Sequence, residues 1–375
     1  MGVWRADECR QRRLVVPPPP HFHPQETLAG RHRTRQARHP MARRHPIRHP
    51  TMGHDATPAR LAPRPDPAVP TQLRCRPPAA RMVDEGGDTR IVDALNGRTA
   101  VVTGGASGMG RAFCDRFARA GMRIVVADIE QAPLDGAVAE LRANGAEAIG
   151  LRCDVAAPED HEAVLAAAID AFGAVNVVCL NAGVGGANGP TWKVSLDDWR
   201  WTLDVNLWGV VHGIRTFVPH LLSHGDGHIV TTASIAGHTS SPFGAPYNVS
   251  KHGVVTLSET LYNELRREGS TVGVTCLSPG FVATNILEST VRNRPGGRPA
   301  PAGERDPGTA RFVEIARRMV ENGLPPAEVA ELVHDAILAD QFWLFTDDVW
   351  DEPISRRHLE IDERRAPTLP APRRR

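Results

Sequence analysis

Tyr247 and Lys251 stand four residues apart in the segment Tyr-Asn-Val-Ser-Lys. On a helix that spacing projects both side chains from one face, one turn apart. Such a pair can do proton chemistry. A free phenol titrates at about 10, too high for a base at neutral pH. A neighbouring ammonium favours the phenolate and lowers that value. Tyr247 is therefore a candidate general base for an alcohol proton, and a general acid in reverse. The chain has two tyrosines, and two lysines (Lys193 and Lys251) against 42 arginines. Arginine would not replace Lys251 readily, because its planar fork differs from a compact ammonium able to bond two ribose hydroxyls. Alone, however, a Tyr-x-x-x-Lys pair is mostly an accident of helix faces.

A second chemical signal lies upstream, in Thr103-Gly104-Gly105-Ala106-Ser107-Gly108-Met109-Gly110. It follows an apolar run and precedes Phe113, Phe117 and Ala120 at helical spacing. Bare backbone can approach a pyrophosphate there, and a helix N-terminus supplies free N–H groups. A Gly-rich turn is weak evidence unless, as here, a strand leads in and a helix leads out. Eighteen residues past Gly110, Asp128 ends the next apolar run. Its carboxylate can accept from adenosine ribose hydroxyls and would repel a 2′-phosphate, which favours NAD over NADP. Neither Ser107 nor Ile129 is a cation that could offset such a phosphate.

Positioning these groups requires alternating elements. Strands are predicted at 99–103, 123–128, 148–152, 175–180, 228–232, 272–277 and 342–345. Helices are predicted at 109–120, 133–144, 158–172, 196–223, 245–268, 310–322 and 326–339. The strands are continuous apolar runs, as expected when helices cover both faces. The fold class is α/β, a doubly wound parallel Rossmann-like sheet. The domain is expected over 98–352, after a linker at 82–97, with a flexible lid near 285–322 and a loose tail from 353 to 375.

Taken in order, the Gly-x-x-x-Gly-x-Gly loop, Asn181-Ala182-Gly183, Asn206, Ser234, Tyr247-x-x-x-Lys251 and Pro279-Gly280 resemble the short-chain dehydrogenase/reductase family, over residues 98 to about 350. The resemblance implies an NAD-dependent oxidoreductase acting on a CH–OH group. It assigns catalysis to Asn206, Ser234, Tyr247 and Lys251. Ser234, thirteen residues before Tyr247, would hold the substrate oxygen, and Asn206 would hold a water relaying protons from Lys251. The implied cofactor contacts are Gly104, Ser107, Gly108, Met109, Gly110, Asp128, Ile129, Asp154, Val155, Asn181, Ala182, Gly183, Tyr247, Lys251, Pro279, Gly280, Val282 and Thr284. Among these, Asp154 and Val155 would meet the adenine, and Val282 and Thr284 the carboxamide. Leu180 departs from a second Asn that the family often carries.

Candidates for the substrate pocket are Ile235, Phe243, Phe281 and the loop 185–192, nearly all apolar or small. A neutral, hydrophobic secondary alcohol or ketone is expected. Arg292, Arg294 and Arg298 could meet an anionic group, but read rather as solvated charges. The other functional reading is a catalytically idle protein that senses a dinucleotide on the same fold; the intact Asn206, Ser234, Tyr247 and Lys251 set speaks against it. Helices 196–223 and 245–268 carry more apolar surface than a monomer needs, and the family pairs the equivalent helices, so a homodimer or homotetramer is expected.

Composition sets outer bounds. Residues 1–81 hold 16 arginines, no lysine and 5 acidic residues, with 15 of the 32 prolines and 7 of the 16 histidines. Apolar residues there are too sparse to offset chain entropy, so the segment reads as disordered. It lacks the apolar core of a secretory signal. One reading is a basic arm that binds nucleic acid. The favoured one starts translation at Met82, just ahead of the first strand, so no nucleic-acid partner is expected. No apolar run approaches the ~18 residues of a membrane span. Cys9, Cys75, Cys114, Cys153, Cys179 and Cys276 show neither CxxC nor framework spacing. No metal site is expected, and the compartment should be reducing, hence cytoplasmic.

Overall fold

The inner strands are buried on both faces because each face meets a helical layer, while the edge strands are partly exposed. In the computed structural model, which describes residues 95–296 and 307–369, seven strands form one parallel sheet in the order β3-β2-β1-β4-β5-β6-β7. They are β1 (Thr99–Thr103), β2 (Arg123–Asp128), β3 (Ala148–Arg152), β4 (Val177–Leu180), β5 (His228–Thr232), β6 (Gly273–Ser278) and β7 (Trp343–Phe345). In central β1, Ala100 and Val102 face one layer and Val101 the other. The first layer contains α1 (Gly108–Arg119), α2 (Gln131–Ala143) and α9 (Pro326–Leu338), with Phe113, Phe117, Leu134 and Val333 fully or almost fully buried. The second contains α3 (Pro158–Phe172), α5 (Gly209–His224) and α6 (Ala245–Arg267), with Phe217 and Leu221 at its centre. Strand order reverses between β1 and β4, and a ligand crevice opens beyond the carboxyl ends of strands at such a point.

The structure departs from the sequence reading in several places. The helix expected over 196–223 is α4 (Leu196–Leu203), a π-turn at Asp204–Trp208 and α5. A π-turn inserts one residue into the helical ladder and is frequent at functional sites; Asn206 sits in it. The tail expected to be loose forms α10 (Asp351–Asp362). Pro353 is tolerated because it lies in the first turn, where no intrahelical donor is needed. Buried Glu360 secures the end of that helix by accepting from Thr368 Oγ1 at 2.6 Å and its amide at 3.2 Å. Leu95, placed in the linker, already packs in the core. The expected lid contains α7 (Ile286–Asn293) and α8 (Pro307–Glu321). Residues 1–81, most of the linker and Arg298 lie outside the described residues.

Candidate active site

The crevice is held open by two side chains at its floor. Thr103 Oγ1 accepts from the amides of Asn181 (2.9 Å) and Ala182 (3.1 Å), while Asn181 Nδ2 donates to the Thr103 carbonyl at 3.0 Å. Thr103 was not among the expected site residues; its only signal was a threonine at a strand end before the glycines. Gly104 turns the chain with φ +64°, and a Cβ there would come within 2.9 Å of Ala182 Cα. The loop then enters α1 through Ser107, whose side chain caps nothing. The amides of the first turn thus keep their donors for a ligand.

A cavity of about 480 Å³ runs along this line. It is bordered by Gly104, Ser107, Gly108, Met109, Asp128, Ile129, Asp154, Val155, Asn181, Ala182, Gly183, Tyr247, Lys251, Pro279 and Thr284, all expected from the sequence. Three expected contacts do not border it. Gly110 lies behind the loop, where a Cβ would run into the Gly104 carbonyl. Gly280 donates its amide to Thr346 Oγ1 and abuts Asp347 and Trp350. Val282 bridges to Leu324 and its side chain is buried in the first hydrophobic layer, so it faces core and not ligand. Phe281, placed at the substrate, instead packs beside Trp350 with ring centres 6.1 Å apart.

Asp128 is only 8% exposed. Its two oxygens accept from the amides of Ala106 and Glu130, both at 3.0 Å. Burial raises its pKa, and backbone donors pull it back. A carboxylate offers about four lone-pair sites, so acceptor capacity remains toward the cavity.

The Tyr247 ring, partly exposed, and the buried Lys251 ammonium project from one face of α6, with Nζ 5.6 Å from the ring centre. Lys251 donates to the Thr232 carbonyl at 2.8 Å. Two of its three N–H groups are left for a ligand. Gly237, bearing no side chain, lets the turn after β5 lie against α6, where a Cβ would meet the Lys251 carbonyl at 2.7 Å; in that turn buried Ser234, which does not border the cavity, accepts from the Ala236 amide at 3.1 Å. The expectation that Lys251 would depress the phenol needs correcting for the free protein. Burial pushes the Tyr247 pKa up, opposed by its hydrogen bond with Ser234. Burial also lowers Lys251 to about 8.

Asn206 is fully buried and ties two segments together. Its Oδ1 accepts from the Val184 amide (2.8 Å), and Nδ2 donates to the Val184 carbonyl (2.9 Å) and Ser250 Oγ (3.2 Å). Both amide hydrogens are therefore used within the protein. Asn206→Leu should cost about 1–3 kcal/mol for each buried Val184 group left unpaired. Urea denaturation measures this loss, and unchanged stability would contradict the arrangement.

Over the cleft lies α7, with Ile286, Ser289 and Asn293 on the cavity wall. Thr290 Oγ1 accepts from the Gly185 amide at 2.7 Å. Arg292 and Asn293 bind Glu130, and Arg294 binds Asp198 at 2.7 Å. Arg292 and Arg294 are therefore paired and not merely solvated. Of the residues expected to line a substrate pocket, Ile235 and Phe243 do not border this cavity; Phe243 adopts φ +66°, strained for a non-glycine residue, and its ring packs 5.9 Å from Phe312 of α8.

The residues present fit a dinucleotide. The Gly104 turn leaves no room for a side chain, free amides open α1, Asp128 keeps lone pairs, and Lys251 keeps two donors. Among the described residues, no group of three or more His, Cys, Asp or Glu side chains could hold a metal ion, and no helix is long and apolar enough to cross a membrane.

The model of the short chain dehydrogenase family matches residues 98–295. The chain is 36% identical over 280 residues to the 1-deoxy-11-beta-hydroxypentalenate dehydrogenase of Streptomyces exfoliatus, spanning 74% of this chain and 92% of that one. It is 33% identical over 250 residues to the C alpha-dehydrogenase of a Sphingobium species, spanning 64% of this chain and 77% of that one. A short-chain dehydrogenase/reductase from Burkholderia phymatum, solved in complex with NAD, is 41% identical with a TM-score of 0.70, covering 74% of this chain and 98% of that one.

Proposed function

We propose, for a chain that belongs to the short-chain dehydrogenase/reductase family and is an oxidoreductase acting on a CH–OH group, that it uses NAD to interconvert a neutral, hydrophobic secondary alcohol and its ketone, with Tyr247 as general acid/base. The observation that carries the reading is a single cavity bordered by the glycine loop, Asp128, Tyr247 and Lys251. Bound NAD supplies the hydride acceptor. Tyr247 takes the hydroxyl proton, and Ser234 holds the same oxygen beside the phenol. Lys251 offers its two remaining N–H groups to ribose hydroxyls, and Asp128 offers acceptors to the adenosine ribose. Asn206 acts as a positioning residue that fixes the Val184 segment. NAD is preferred over NADP because Asp128 has no cationic partner and would repel a 2′-phosphate.

The hydrophobic substrate is supported by Phe243, four residues before Tyr247, whose ring packs 5.9 Å from that of Phe312. Two relatives are named as dehydrogenases, one of a hydroxypentalenate and one at C alpha; the first name denotes a carboxylate, so it supports an alcohol substrate and not its neutrality. An assembly of two or four copies belongs to the same proposal, supported by Trp208 and Val249, about half exposed at the start of α5 and on α6. So does a cytoplasmic location, supported by four buried cysteines that are free thiols.

Absorbance at 340 nm, with NAD and a panel of cyclic apolar alcohols and anionic hydroxy acids, tests the reading. Turnover of the apolar alcohols is expected. Turnover confined to hydroxy acids, or to NADP, would overturn it. Phe243→Ala should lower kcat/KM for a bulky cyclic alcohol about tenfold or more, while leaving 2-propanol little changed. An equal loss for both would show that Phe243 does not contact substrate.

A further inference from the structure

Three carboxylates border the cavity at its adenosine end, Asp128, Glu130 and Asp154, and the first two stand side by side. Asp128 is held by backbone amides alone, one of them the amide of Glu130. Glu130, two residues on, borders the same cavity. Its side chain reaches outward and takes both arms of Arg292 from α7, Nε to Oε2 at 3.1 Å and Nη2 to Oε1 at 3.0 Å. Asn293 Nδ2 adds a third bond to Oε1 at 3.0 Å. The paired side chains are 49% and 22% exposed for Arg292 and Glu130. A pair that exposed contributes little to stability. Its consequence is for charge. The planar fork of a guanidinium suits a phosphate as well as a carboxylate, and Glu130 keeps that fork occupied.

We infer that Glu130 is a second cofactor-specificity residue, which excludes a 2′-phosphorylated dinucleotide by sequestering Arg292, the guanidinium that α7 sets against it at the cavity rim. The inference rests on the reading that this cleft takes a dinucleotide with its adenosine at Asp128. With Glu130 and Arg292 paired their charges cancel, and the carboxylates of Asp128 and Asp154 remain. Removal of the Glu130 charge frees Arg292 to meet a 2′-phosphate. Glu288, one turn earlier on α7, is left as a weaker partner, since its electrostatic influence on Arg292 ranks last among the groups acting on it. The sequence could not show this pairing, because 162 positions separate the partners.

Calorimetric binding of adenosine 5′-monophosphate and adenosine 2′,5′-bisphosphate tests the inference without turnover. The two probes differ by the 2′-phosphate alone. Wild-type protein should bind the monophosphate better. Glu130→Gln, close to isosteric, should shift the ratio of affinities toward the bisphosphate by about tenfold or more. Adding Arg292→Ala should cancel that shift. An unchanged ratio in Glu130→Gln, or a shift that survives Arg292→Ala, overturns the inference while the dinucleotide reading stands. Failure of every variant to bind either nucleotide overturns both.

Discussion

Tyr247→Phe should lower kcat/KM for alcohol oxidation by about 10²–10⁴-fold, the usual worth of a positioned proton acceptor, while dinucleotide affinity stays within a few-fold. The ring remains packed beside Lys251, so the cleft keeps its shape. What is lost is the phenol oxygen and its bond with Ser234. A phenol is protonated at neutral pH, and burial pushes that of Tyr247 further up in the free protein. Oxidation by wild-type protein should therefore speed up as pH rises, because more phenolate becomes available. The residual activity of the variant should lack this rise. Steady-state kinetics across pH, with calorimetric titration of NAD, separates the effects. A variant that retains wild-type kcat, or loses cofactor binding in proportion, would place the proton transfer elsewhere.

Lys251→Met should abolish useful activity and, at the same time, change how stability depends on pH. Lys251 is 4% exposed, and burial lowers its pKa from 10.5 to about 8. Below about pH 8 both native and unfolded chains hold the proton, and the cost of burying the charge is fully present. Between 8 and 10.5 the unfolded chain holds more protons than the native one, so stability climbs with pH. The full climb corresponds to roughly 3 kcal/mol at 1.36 kcal/mol per pKa unit. Methionine has no proton to lose. Its curve should lack that climb, and the variant should be the more stable protein near pH 7 by less than the full amount, because the Thr232 carbonyl loses a donor. Urea denaturation of both proteins from pH 7 to 10.5 reads the difference, in which titrations common to both cancel. A constant difference would mean that Lys251 titrates normally. The expected pattern is stability given up at an active site for a group that catalysis requires.

The parts of the site written within one turn or one strand were legible beforehand. The glycine loop, Asp128 and the Tyr247–Lys251 face depend on local spacing, and the structure puts them on one cavity wall. Other features depend on neighbours far along the chain. Val282 was expected at the carboxamide, but its side chain lies in the core, and its backbone bridges to Leu324. The π-turn around Asn206 is invisible to a 3.6-residue period. Arg292 and Arg294 read as solvated because Glu130 and Asp198 are distant in sequence. Pro353 and a cluster of arginines suggested a loose tail, yet a proline in the first turn is compatible with α10, and Glu360 holds its end. The electrostatics misled for a physical reason. A lysine depresses a nearby phenol only if it is charged and aimed at the oxygen, and burial here acts on both groups.

The most direct test of the central claim is a crystal structure of the protein with NAD and an unreactive ketone or alcohol analogue. The ligand oxygen is expected about 2.6–3.2 Å from both Tyr247 Oη and Ser234 Oγ, with the adenosine ribose at Asp128 and the pyrophosphate at the Gly104–Gly110 turn. A dinucleotide bound elsewhere, or a ligand oxygen held by other groups with Tyr247 turned away, would contradict the account.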